Sequence, residues 1–484
     1  MNLIEYAQHD ATGLAALVAR GEVTARELAR LAAEAIALAN SALGAVVETY
    51  PDRIEALDEA ALGSGPFVGV PFLMKDVFGH EAGRRIEFGS RLCRGMVATE
   101  DTAYCTLVRA AGFNIIGRSA APEYSMAGTT ETALYGHTST PWRQGYSAGG
   151  SSGGAAAAVA AGIVPVAHGS DIAGSIRIPA SFCGGVGLKP SRGRISFAPM
   201  LDENGYGLAQ NFAQTRSLRD TAALLDCLAV PQTGDPFVIP RPAAHWLQAM
   251  QEAPRRLRVG VSTAALMGVP VDAEVAAAVE RTAQWLSEQG HVVDTFTPQV
   301  DGRAAMRLML DVWFFGFDLR LATYSQRSGH VIGPDTLEPV IQKVLVYARE
   351  MKPAQFLTAM TSLNVARRRF ATIFDAHDLW LTPTTAHPAE PWGRYNLGRT
   401  DVSFDDLVDK IMAPVAQFTL PHNVMGTPAM SLPLAMHSQG LPIGVQLIAP
   451  PAQEHLLLQL GAQLEQAMPW GTRVPPLHVT KMRH

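Results

Sequence analysis

Three short stretches carry residue types that could perform proton transfer and nucleophilic attack. Ser175 lies in HGSDIAGSIRIPA (residues 168–180), a run of small and polar residues with too little side chain and too much polarity to read as a buried strand. A small-residue turn of this kind lets backbone N–H groups converge on one point, the arrangement that stabilises a developing negative charge. Lys75 stands in PFVGVPFLMKDVF (residues 66–78), preceded by Val68, Val70, Pro71, Phe72, Leu73 and Met74. An ammonium desolvated by such neighbours loses its proton more readily. The third stretch is SAGGSSGGAAAAVAAG (residues 147–162), where a Gly-Ser loop runs straight into an Ala-rich helix.

Each stretch also has a plain alternative. Ser175 could cap its own turn, Lys75 could snorkel from a strand end, and the Gly-Ser loop could be a linker or a phosphate cradle. A linker would not continue into so apolar a helix, and a phosphate loop needs Gly-Lys-Ser/Thr where Gly153-Gly154-Ala155 stands. Taken together the three describe one device. A serine hydroxyl is a poor nucleophile until a base removes its proton. No histidine is suitably placed: His168 is upstream of Ser175, His137 sits in a turn, and neither has an evident Asp partner in sequence. A neutral lysine is the alternative base, with a second serine relaying the proton across the gap.

The elements around these stretches alternate helix and strand. Thr24 to Glu27 is a capping box ahead of Leu28, Leu31, Ile36 and Leu38, which predicts an amphipathic helix. Residues 66–78 read as a buried strand ending at Lys75-Asp76, 102–111 as a helix and 114–117 as a short strand. Residues 257–261, 272–288 and 291–296 form a β-α-β pattern, residues 303–376 are mostly helical, and 378–383, 429–434 and 443–448 read as strands. No internal repeat or low-complexity linker divides the chain. The expected fold is therefore α/β: one large mixed central β-sheet flanked by helices, with a helical insertion.

Composition narrows the function classes. The 484 residues are 48% hydrophobic and 17% charged with a net charge of −5, so no basic excess points to nucleic acid. The opening residues show no basic segment followed by an apolar run, so no signal peptide is expected. The most apolar stretch, residues 155–167, falls short of the roughly 20 residues that cross a bilayer and is interrupted by Gly162 and Pro165. Cys93, Cys105, Cys183 and Cys227 are scattered, which argues against a zinc site or a disulfide framework and fits a reducing cytoplasm.

The motifs GVPFLMKD (69–76), GGSSGG (149–154), DIAGSIR (171–177), CGGVGLKP (183–190), GTPAMSLP (426–433) and PIGVQLIA (442–449) together resemble the amidase signature family, over nearly the whole chain. That resemblance implies a single domain over 1–484: N-terminal helices (1–60), a catalytic core (61–250), a helix-rich substrate-side region (251–420), and C-terminal core strands and a helix (421–484). It implies that Ser175 is the nucleophile, that Ser151 bridges after a cis Gly150–Ser151 bond, and that Lys75 is the base. It makes the N–H groups of Ile172, Ala173, Gly174 and Ser175 the oxyanion hole, with no metal or cofactor. Ala173 departs from the glycine usual there, which narrows the hole but keeps its N–H.

Ala173, with PVAHG (165–169), RIPAS (177–181) and GLKPSRGRIS (187–196), looks most like the branch that includes 6-aminohexanoate cyclic-dimer hydrolases, which open uncharged cyclic amides. The expected reaction is hydrolysis of the C–N bond of an uncharged, apolar amide or carbamate, with ester hydrolysis as a side activity. Met126 and Ala127 fall where the family places a loop beside the scissile carbonyl. Trp313, Phe314, Phe315 and Phe317 are core or pocket wall, and Trp313 and Phe317 are expected to close over the substrate. Two other readings are a glutaminase subunit of a tRNA-dependent amidotransferase and a non-catalytic binding protein on the same scaffold. Against the second stands the presence of all three catalytic residue types. The expected partner is a small amide or carbamate, with neither nucleic acid nor membrane, in a cytoplasmic protein whose resemblance allows a homodimer.

Overall fold

The computed structural model describes residues 1–482. Thirteen strands occur along them. They are β1 (Val46–Thr49), β2 (Pro71–Lys75), β3 (Asn114–Ser119), β4 (Glu131–Thr132), β5 (Gly136–His137), β6 (Val166–Asp171) and β7 (Val186–Lys189). Then follow β8 (Gln210–Thr215), β9 (Arg258–Val261), β10 (Val292–Thr295), β11 (Leu379–Pro383), β12 (Ala429–Met436) and β13 (Pro442–Ile448). Eleven form one mixed sheet in the order β1-β3-β2-β6-β8-β7-β12-β13-β11-β9-β10, while β4 and β5 make a separate hairpin. This is the expected α/β class, with flanking helices and no domain break in the sheet itself.

The order explains how the site is assembled. β2 runs parallel to both β3 and β6, so Lys75 at the end of β2 and Asp171 at the end of β6 lie at the same edge of the sheet. Crevices beyond the carboxyl ends of parallel strands are where α/β sheets bind ligands, because chain leaves the sheet there and opens space. The neighbour on the other side, β8, pairs antiparallel with β6 and carries the sheet on to β7.

Several expected elements differ in extent, each for a local reason. The strand expected over 66–78 is confined to Pro71–Lys75, because Gly69 turns the chain with φ +80°. The stretch that reads as too polar for a buried strand contains one: all six residues of β6 are buried. Its polar side chains find partners inside, His168 and Ser170 meeting Lys75 and Asp171 meeting Arg177. The same holds for β8, whose sequence QNFAQT gives no apolar pattern although every residue of it is buried.

Elsewhere the local signals hold. Thr24 and Glu27 cap the helix Ala25–Leu43 reciprocally, and Asp272 caps Ala273–Glu288. The helical part is broken into Gly302–Phe314, Phe317–Ser328, Pro339–Glu350 and Pro353–Ala371. Gly316 and Gly329 stand at left-handed helix ends, and Pro339 and Pro353 open the last two helices. These helices rest on a second apolar cluster, distinct from the main core beneath the sheet, that also holds Met126, Ala127, Ile172, Ala173, Trp313 and Phe317.

Candidate active site

Lys75 is fully buried, and its Nζ is 2.7 Å from Ser151 Oγ and 2.8 Å from Ser170 Oγ. Burial drives its amine well below the ordinary lysine range, against the pull of the Asp171 carboxylate. The distinction matters chemically, because an ammonium offers only donors whereas a neutral amine offers a lone pair. Its backbone N–H donates to His168 Nδ1 at 3.3 Å, which leaves Nε2 as the protonated ring nitrogen facing Asn211 Oδ1 at 3.4 Å. Burial, then the nearby lysine, pushes His168 down to about 3. That imidazole is neutral and serves to hold the strand end beneath Lys75.

Two consecutive serines follow Gly150, and their contacts separate them. Ser152 is spent on structure: its N–H donates to Ser175 O at 3.2 Å and its Oγ engages the backbone of Ser170. Ser151 instead turns its hydroxyl to Lys75. The Gly150–Ser151 peptide bond is cis. Gly150 must be glycine for a steric reason, since a Cβ there would stand 2.4–2.6 Å from the Thr129 backbone.

The turn from Ile172 to Ile176 is held from below by one carboxylate. Asp171 accepts from Gly174 N–H (2.8 Å), Ile176 N–H (3.2 Å), Arg177 Nε (2.9 Å) and Nη2 (2.9 Å), and Asn423 Nδ2 (2.9 Å). Burial alone would raise this carboxyl, and the Arg177 guanidinium more than offsets that, holding it far below the usual range. Arg177 completes its own set on Thr419 O, Gln446 Oε1 and Asn423 Oδ1. Gly174 has φ +130°, and a Cβ there would come within 2.3 Å of Thr419 Oγ1. Both facts require glycine.

The Gly174 N–H is engaged by Asp171, so the donors of the turn that remain for a ligand oxygen are those of Ile172, Ala173 and Ser175. A small cavity adjoins them, lined by Ser125, Met126, Ala127, Gly128, Ile172, Ala173, Ser175, Ile178, Trp313, Met412, Val415 and Ala416. Its interior of about 10 Å³ has room for about one water. Met126, Ala127 and Trp313 line this cavity together with Ser175.

Phe317 does not line that cavity. Its ring meets Tyr124 edge-on at 5.5 Å and Phe314 at 6.3 Å, which sets it one layer back. Sequence reasoning missed the wall formed by Met412, Val415 and Ala416, where a π-helical turn Val408–Met412 runs into Ala413–Ala416. It also missed Ser170, Arg177 and Asn423 as supports. His168 and Ser170 carried a usable signal, since alternate residues of a strand face the same side. Among the described residues, no cluster of His, Cys, Asp and Glu is placed to hold a metal ion, and no helix is long and apolar enough to cross a membrane.

Residues 26–458 match the family model described as Amidase. The chain is 38% identical to a 6-aminohexanoate-cyclic-dimer hydrolase of Pseudomonas sp. (strain NK87), covering 97% of this chain and 96% of that one. It is 34% identical to a glutamyl-tRNA(Gln) amidotransferase subunit of Synechococcus sp. (strain CC9311), covering 94% and 96% respectively. Among solved structures, a 6-aminohexanoate cyclic dimer hydrolase complexed with substrate superposes with a TM-score of 0.91 at 35% identity, covering 97% of this chain and 99% of that one. The chain belongs to the amidase family, and its sheet is that of the amidase signature fold. It is a hydrolase of carbon–nitrogen bonds other than peptide bonds.

Proposed function

We propose that the protein hydrolyses an uncharged, apolar amide or carbamate through an acyl-enzyme on Ser175. The observation that carries this reading is the fully buried Lys75, its amine depressed by burial, at 2.7 Å from Ser151 Oγ. Neutral Lys75 takes the Ser151 proton, Ser151 takes that of Ser175, and Ser175 Oγ attacks the carbonyl carbon. The oxyanion is met by the N–H groups of Ile172, Ala173 and Ser175. The relay then runs backwards and delivers the proton to the departing nitrogen, without which an amine anion could not leave. The C–N bond breaks, the acyl group stays as an ester on Ser175, and water releases it in a second half-reaction of the same kind. No step calls on a metal or cofactor.

The cavity wall supports this substrate class. Met126, Ala127, Trp313, Met412, Val415 and Ala416 offer no counter-charge, and burying an unpaired carboxylate against them would cost several kcal/mol. A substrate larger than a water must displace the wall contributed by Trp313 and residues 412–416. The same wall weighs against the glutaminase reading, despite the amidotransferase relative, because glutamine would bring a carboxylate and an ammonium. In this reading the protein is cytoplasmic, needs no partner chain for chemistry, and acts on the small molecule alone. The test is amine release from a panel of alkyl amides, anilides, aryl urethanes and glutamine, with mass detection of the acyl group on Ser175. Turnover of glutamine by the lone chain in preference to the anilides would overturn the proposal.

A further inference from the structure

The loop facing Ser175 carries a hydroxyl that neither the fold nor the relay uses. Ser125 lines the same cavity as Ser175, Ile172 and Ala173, is 4% exposed, and its Oγ has no hydrogen-bond partner in the protein. A buried hydroxyl left unpaired forfeits its hydration without compensation, and serines in turns ordinarily avoid this by bonding to their own backbone. The backbone is unusual at the same place. Tyr124 and Ser125 both occupy the left-handed region, with φ of +50° and +60°, which a non-glycine residue keeps only when its surroundings hold it there.

The surroundings do hold it. Tyr124 N–H donates to Phe88 O at 2.8 Å, Ser90 Oγ stands 3.0 Å from the Tyr124 hydroxyl, and Glu123 Oε2 accepts from Glu338 N–H at 2.8 Å. Two costs fall on one residue, and that residue faces the nucleophile. Apart from Ser175 and the Trp313 indole, the side chains that share the wall are apolar, so the Ser125 hydroxyl stands out as a polar atom reserved for what enters.

The chemistry of the scissile group says which atom it would meet. With the carbonyl oxygen in the turn of residues 172–175, a secondary amide or carbamate has one hydrogen-bond donor left at the scissile group, its N–H. The nitrogen must also become pyramidal as the tetrahedral intermediate forms, with its lone pair turned toward the proton that Ser151 returns. An acceptor that holds the N–H fixes that orientation. We propose that Ser125 is a specificity-determining residue whose Oγ accepts a hydrogen bond from the scissile N–H, favouring C–N over C–O substrates. This rests on the assignment of Ser175 as nucleophile made above.

The test compares an anilide with the isosteric aryl ester of the same acyl group, which lacks the N–H, in wild type, Ser125→Ala and Ser125→Gly. The glycine variant suits the left-handed backbone and guards against misfolding of the alanine one. For both variants kcat/KM on the anilide should fall about tenfold, while the ester changes by less than about twofold. The rate of fluorophosphonate labelling at Ser175, which senses no N–H, should stay within about twofold, and Tm should be unchanged or higher because an unpaired hydroxyl has been removed. An unchanged anilide-to-ester ratio in an active enzyme overturns the role of Ser125 alone, as does a lowered Tm with slowed labelling. A wild type that labels at Ser175 yet turns over neither substrate overturns this proposal together with the assigned reaction.

Discussion

Replacing Asp171 by Asn tests whether the turn bearing Ser175 is held by charge or merely by shape. The substitution changes one atom and leaves the volume alone, yet it removes the negative charge that faces a fully buried guanidinium. Of the five hydrogen bonds the carboxylate receives, Asn can keep those on one oxygen, and its new N–H₂ faces donors from Ile176 and Arg177. Breaking a buried ion pair from one side costs roughly 3–5 kcal/mol, because the remaining charge is left unpaired. At an unfolding entropy of about 2.1 cal/mol/K per residue, a chain of this length loses about 3–5 °C in Tm.

The pH dependence gives an independent sign. The carboxyl is depressed in the folded protein, so its stabilisation is fully present above the unfolded value near 4 and is lost as pH falls through the folded one. The gap between wild type and Asp171→Asn should therefore be constant through neutral pH and narrow in acid. Scanning calorimetry between pH 3 and 8, with fluorophosphonate labelling at pH 8, reads both effects. A variant that melts within about 1 °C of wild type and labels Ser175 equally fast would refute the reasoning.

Ser175→Ala should abolish acyl-enzyme formation, and Ser151→Ala and Lys75→Ala should each cost several orders of magnitude in kcat/KM without adding in the double variant; continued labelling of Ser175→Ala at that loop refutes the nucleophile. Lys75→Arg places a permanent cation where a neutral amine is needed and cannot take up a proton, so it should be as inactive as Lys75→Ala, and wild-type kcat/KM should rise with pH through an apparent pKa below the usual 10.4 or so of lysine; EDTA should change nothing, and loss on chelation with recovery on zinc refutes the mechanism. Trp313→Ala should alter KM for anilides more than for acetamide, whereas Phe317→Ala should act mainly on Tm, at about 3–5 kcal/mol; equal effects on both substrates would return Trp313 to the core. Burial raises Glu123 to about 8, so its contribution to stability falls as pH rises from about 4 toward that value; Glu123→Gln should flatten the loss of Tm between pH 6 and 9, and an unaltered slope counts against it.

How much of this was legible beforehand depended on whether a residue's surroundings were local in sequence. Lys75 was readable because the apolar run that desolvates it directly precedes it. Choosing Ser151 over Ser152 was not possible from composition, since only the contacts of each hydroxyl distinguish them. β6 and β8 escaped the strand pattern because apolar alternation presupposes one wet face, whereas these strands are buried on both faces and pair His168, Ser170 and Asn211 internally. Trp313 and Phe317 sit on either side of a helix break at Gly316, so their different depths could not be read from spacing. Met412, Val415 and Ala416 belong to none of the motifs the sequence displays, and only the fold brings them into the cavity with Ser175.

The reach of Arg177 carries a consequence for the birth of the enzyme. Its partners Thr419, Asn423 and Gln446 lie 242 to 269 residues downstream, so a nascent chain exposes the turn bearing Ser175 long before the residues that close around it exist. At about 5–20 residues per second, roughly 12–54 s separate the two. During that interval the guanidinium is solvated, the turn lacks its clamp, and the chain cannot attack amides around it. Competence is therefore expected to await the C-terminal segment that carries Thr419, Asn423 and Gln446, and a ribosome-stalled chain ending before Thr419 should be inert although it contains Lys75, Ser151 and Ser175.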